Sequence, residues 1–87
     1  MSQKIVLTAA GNDLSFTVDN EAYNALVNEM MPDNKVAPNH NFAMRTVDAD
    51  SKEELKALFD KHPGAALQIG SALAAEFAPQ LAITVKK

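Results

Sequence analysis

The 87-residue chain has no cysteine, which excludes disulfides and thiolate-held metal and is compatible with a reducing compartment. Basic residues are few and dispersed: one arginine, Arg45, and seven lysines scattered from Lys4 to Lys87, against eleven acids for a formal charge of −3. Phosphate binding needs clustered positive charge, so nucleic acid is a poor partner. No window approaches the roughly 20 apolar residues of a membrane span. The opening MSQKIVLTAAG has too short an apolar run for a signal peptide and leads directly into a plausible strand, so a cytosolic protein is expected. With three glycines in all, GAALQIG at 64–70 lacks the glycine density and GK[ST] ending of a phosphate loop. The two histidines, His40 and His62, stand in no ligand spacing, so neither a metal nor a cofactor is expected.

What is present is a globular composition, 47% apolar and 22% charged, in a length that suits one domain over residues 1–87. A chain of this size buries only roughly 60 to 65% of its unfolded surface, which leaves little room for a deep catalytic cleft. Residues 4–8 (KIVLT) and 14–18 (LSFTV) predict a β-hairpin whose buried face carries Leu14, Phe16 and Val18, joined through Ala10-Gly11-Asn12-Asp13. Asp19 or Asn20 then caps a helix with Tyr23, Leu26, Val27 and Met30 at helical spacing, and Pro32 ends it. Pro38 opens a short helix with Phe42, Ala43 and Thr46 or Val47 inward. Ser51-Lys52-Glu53-Glu54 fits a capping box ahead of a helix bearing Leu55, Leu58 and Phe59, closed at His62-Pro63-Gly64. His62 is expected to meet free carbonyls at that helix end.

The next segment, AALQIGSALAAEFA, reads as a helix in which Gly70 and Ala74 permit close packing. The closing LAITVKK alternates and predicts a third strand. The expected class is α+β: an N-terminal β-hairpin, three or four helices and a C-terminal strand forming one small sheet covered by helices.

Catalytic patterns are weak. Ser15 and Ser71 lie on predicted regular elements and Ser51 is taken as a cap, so no serine stands beside a base. Asp48 and Asp50 resemble a carboxylate pair, but acids ahead of a helix favour its positive end without any acid/base role. No enzyme is expected. The unusual stretch is NEMMPDNKVAPNHNFAMRTV at 28–47, with adjacent methionines, two prolines, four asparagines and the one arginine. Met30 and Met31 point about 100° apart on a helix and cannot share one narrow core stripe. Met30, Met31, Val36, Phe42, Met44 and Arg45 are therefore the candidate partner-binding residues, with edge-of-core packing as the competing role for the methionines.

That stretch, together with KIVLTAAGNDLSFTV, PGAALQI and APQLAITVKK, resembles a family of small tail assembly chaperones encoded in tailed bacteriophages and prophages. The resemblance covers nearly the whole chain. It implies a protein of the host cytoplasm that transiently binds the tape-measure protein, with the tail-tube protein as a further candidate partner and a homo-oligomer as a candidate state. The alternative is a minor structural component retained in the tail. Lys86-Lys87 is expected to discourage edge-to-edge pairing and keep the strand end solvated; the resemblance supplies the alternative that it marks a ribosomal slippage point leading to a longer product.

Overall fold

The computed structural model describes residues 2–78 and 83–86. Strands β1 (Ser2–Ala9) and β2 (Asn12–Asp19) form an antiparallel hairpin, followed by helices α1 (Asn20–Glu29), α2 (Val36–Thr46), α3 (Lys52–Lys61) and α4 (Ala65–Phe77), with a 3₁₀ turn at Ala49–Ser51 ahead of α3. The α+β class expected from the sequence is the one observed.

The hairpin pairs in continuous register from Ser2 opposite Asp19 to Ala9 opposite Asn12. Its two-residue connection places Ala10 at φ 51° and Gly11 at φ 83°, the left-handed pair that matches a tight turn to strand twist. Strand alternation then puts Ile5, Leu14, Phe16 and Val18 against the helices, where all four are buried. Asp19 caps α1, accepting the Ala22 amide at 2.8 Å. The inward stripe of α1 is Ala22 and Leu26, one turn apart. Phe42, Leu55, Ile69 and Leu73 complete one continuous core.

Helix α2 begins two residues before Pro38, so the proline sits in the first turn, where its missing N–H is not needed. It packs chiefly on α4 and then on α1. The hinge of this packing is Asn39, buried to 2% exposure, whose amide donates to the Lys35 carbonyl at 2.8 Å. A Cβ at Gly70 would lie 2.6 Å from Asn39 Cβ and 2.7 Å from its Cγ. The close approach expected at Gly70 is therefore an approach to a polar side chain held in place by its own bond.

Two expectations are corrected by the sheet. Residues 83–86 lie outside any strand, with Ile83 and Val85 highly exposed; Leu81, at the start of the expected strand, lies outside the described residues. The extra pairing of the hairpin comes from the end of α2 instead, as Val47 bridges Phe16 and the Asp48 N–H donates to the Ser15 carbonyl at 2.9 Å. That segment occupies the outer edge of β2. Ser51 likewise does not close a capping box on α3: its side chain makes no cap bond, and its Oγ accepts the Ser15 N–H at 3.0 Å. An otherwise unpaired strand amide competes successfully for that oxygen, while Glu53 and Glu54 still place negative charge in the first turn of α3. At the other end of α3, Leu58's carbonyl is met by the backbone N–H of His62 at 2.9 Å rather than by the imidazole.

Helix propensity alone favours alanine over glycine by about 1 kcal/mol. Gly70→Ala should nevertheless destabilise the protein by about 1 to 3 kcal/mol, because the added methyl overpacks a side chain that cannot withdraw. Ala10→Asn should act the other way, relieving roughly 1 kcal/mol of left-handed strain. Thermal and urea denaturation of the two variants tests both signs.

Candidate protein-binding surface

Four large apolar side chains are exposed along the stretch where α1 ends and α2 begins. Val27, Met30 and Met31 are 52%, 38% and 55% exposed, and Val36 is 55% exposed. Val27 and Met30 stand three residues apart at the end of α1, and Met31 follows beyond the extended C-cap residue Met30. Met31 then enters a four-residue turn with Pro32 and Asp33 at its centre, closed by reciprocal backbone bonds between Met31 and Asn34 of 3.2 and 3.1 Å. Proline suits the second position of such a turn because its φ is already set. Met30 Sδ lies 3.8 Å from Asn39 Nδ2, and Val36 stands one turn before Asn39 on α2.

The sequence-expected residues divide accordingly. Met30, Met31 and Val36 are exposed at the α1–α2 junction. Arg45 is exposed and borders it through Glu29, whose carboxylate it meets at 3.3 Å. Met44 is half-buried against the core. Phe42 is fully buried and is a core residue, not a surface contact: α2 turns it inward with Ala43 and Thr46, and the Thr46 hydroxyl donates to the Phe42 carbonyl at 2.8 Å. Val27 is an exposed residue that helical spacing placed in the core. Its position next to Leu26, about 100° around the helix, is the signal that it turns outward. Val6 and Leu67 are also exposed, but on β1 and α4 as isolated side chains, which is ordinary for a protein surface.

The carboxylates Asp48 and Asp50 serve the hairpin. Thr17 Oγ1 donates to Asp48 at 2.7 Å, Lys4 Nζ stands 3.2 Å from its other oxygen as an ion contact, and the Ser15 hydroxyl reaches Asp50 at 3.4 Å. The Thr17 hydroxyl, with help from Ser15 and Lys4, holds the Asp48 carboxyl below the usual aspartate range. His40 packs its ring on Phe59 with centroids 4.9 Å apart. Among the described residues, no three His, Asp or Glu side chains gather as a metal site, and no helix is long and apolar enough to cross a membrane.

These features define a small α+β fold with exposed apolar residues at one helix junction. The chain belongs to the phage tail assembly chaperone family, whose model matches residues 5–87. It is also 31% identical over 86 residues, 99% of this chain and 83% of the relative, to an uncharacterized 11.3 kDa protein in the lys 3′ region of Haemophilus phage HP1. No solved structure matches.

Because the folded-state carboxyl of Asp48 titrates below its unfolded value, the unfolded chain binds more protons across that interval and stability rises with pH there. The contribution of Asp48 is complete above about pH 4, the unfolded value, and is lost as pH falls through the lower folded value. Asp48→Asn should therefore melt below the native protein at pH 7, and the gap should close as both are acidified. Melting temperatures measured from neutral pH down to about pH 2 check the direction.

Proposed function

We propose that this protein is a non-enzymatic chaperone of the host cytoplasm that binds the phage tape-measure protein transiently during tail assembly. The observation that supports this reading is the exposure of Val27, Met30, Met31 and Val36 at the α1–α2 junction. An extended helical tape presents apolar stripes before the tube closes around it, and an exposed apolar patch rimmed by polar residues is the kind of surface that covers such stripes. Unbranched methionines re-pack against irregular partners at low cost. Arg45, with its planar donor fork, supplies a polar contact at the rim. Tail-tube protein is a second candidate partner at the same stage of assembly.

Co-expression with the tape-measure protein of the same phage, followed by pull-down, tests the reading. Native protein should keep the tape in solution and be captured with it, and should be absent from purified tails; retention in tails at fixed stoichiometry would instead identify a structural component. Met31→Ser should weaken capture by about 1 to 2 kcal/mol, the order carried by a contact residue near an interface centre, and Arg45→Glu should weaken it by reversing a charge at the rim. Neither should change thermal stability appreciably, because Met31 is exposed and the Arg45–Glu29 pair is a half-exposed ion pair. Equal solubility of the tape with and without the protein would refute the mechanism.

A further inference from the structure

Three methionines lie among the described residues, and the fold treats their sulfurs differently. Met44 is half-buried against the core. Met30 and Met31 are consecutive and comparably exposed, so access alone scarcely separates them. Asn39 does. Its buried carboxamide is held at three points: the amide nitrogen donates to the Lys35 carbonyl at 2.8 Å and to Met30 Sδ at 3.8 Å, and Oδ1 lies where a Cβ on Gly70 would stand. Only a donor suits the Lys35 carbonyl, so the NH₂ end of the side chain is the end that faces Met30. Two N–H groups meet two acceptors, and the amide cannot turn away from the sulfur without giving up the stronger bond.

Met31 has no such guard. Its main chain is fixed in the turn by the two backbone bonds with Asn34, but the contact of Asn39 with Met30 is the one hydrogen bond to sulfur among the described residues. Thioether oxidation needs a free lone pair on sulfur and a path to it. A lone pair engaged by an N–H is a poorer nucleophile, and the donor fills part of the approach.

We propose that Met31 is an oxidation site of the folded protein, converted to the sulfoxide by hydrogen peroxide ahead of its neighbour Met30, whose sulfur Asn39 shields. The Met31 sulfur attacks one peroxide oxygen: an S–O bond forms as the O–O bond breaks, and the departing hydroxide takes the proton of the transferred oxygen and leaves as water. Sulfur is oxidised by two electrons and the peroxide is reduced. The sulfoxide is polar, so the change removes the more exposed methionine from the apolar surface of the α1–α2 junction and leaves intact the core, to which Met31 does not contribute. This holds whatever the junction binds.

Timed exposure of the full chain to hydrogen peroxide, with tandem mass spectrometry locating the added oxygen, measures both rates in the same molecule. In the folded protein Met31 should react at least about threefold faster than Met30, within the roughly two- to tenfold expected from one net hydrogen bond. In guanidinium chloride, where Asn39 no longer faces Met30, the ratio should fall to about one. A ratio below about threefold in the folded protein overturns the proposal, as does the same ratio in the unfolded chain, because selectivity would then come from the local sequence. Asn39→Leu should raise the Met30 rate to that of Met31 and leave Met31 unchanged. Met30→Leu, at a partly exposed position, keeps the fold and should shift chiefly one of the two Asn39 side-chain amide proton resonances, the other staying on the Lys35 carbonyl; unmoved resonances overturn the shielding role even where Asn39→Leu does not fold.

Discussion

An antiparallel ribbon of two strands is marginal in water, and β2 escapes that limit because Phe16 is engaged in two directions at once. Its ring is fully buried among the helices, while its backbone bridges Val47 at the exit of α2. The bonds on either side, from Asp48 to the Ser15 carbonyl and from the Ser15 amide to Ser51, pin the passage from α2 into α3 along the strand. Burial of Phe16, Leu14 and Val18 supplies about 1.5 to 3 kcal/mol for each side chain. The edge bonds decide where α2 can lie.

Once α2 is anchored at its C-terminal end, its other contacts follow. Asn39 meets Gly70 of α4 on one side and Met30 at the end of α1 on the other, so a buried amide sets the spacing of three helices. A leucine there would fill volume without a directional bond; the amide fixes both the start of α2, through the Lys35 carbonyl, and the separation of the chain elements that meet at the α1–α2 junction. Buried polar groups of this sort carry a desolvation cost, offset only when their bonds are made.

The irregular composition of residues 28–47 has a structural cause. This stretch holds a helix end, a proline turn, a second helix start and the core face of that helix, so no single period runs through it. Asn39, Phe42 and Thr46 face inward, while Met30, Met31 and Val36 remain outside. The outward group is an expense of apolar exposure that the small core does not require, and the chain that carries it belongs to the phage tail assembly chaperone family.

Local rules made much of the architecture legible. Period-two alternation marked Leu14, Phe16 and Val18, the turn residues marked the hairpin, and Asp19 marked the start of α1, because each of these signals acts between residues a few positions apart. The stretch 28–47 could also be singled out by composition, and three of its candidate residues, Met30, Met31 and Val36, are exposed. Phe42 was not separable from them by residue type, since an aromatic suits a core and an interface equally. The facing of Val27, the burial of Asn39, the choice of Ser51 between α3 and β2, and the use of Val47 as the hairpin's extra partner were settled only in three dimensions. Each depends on which donor or surface another element brings alongside; Ser15 and Ser51, for example, are 36 positions apart, and no local period or cap rule reaches that far.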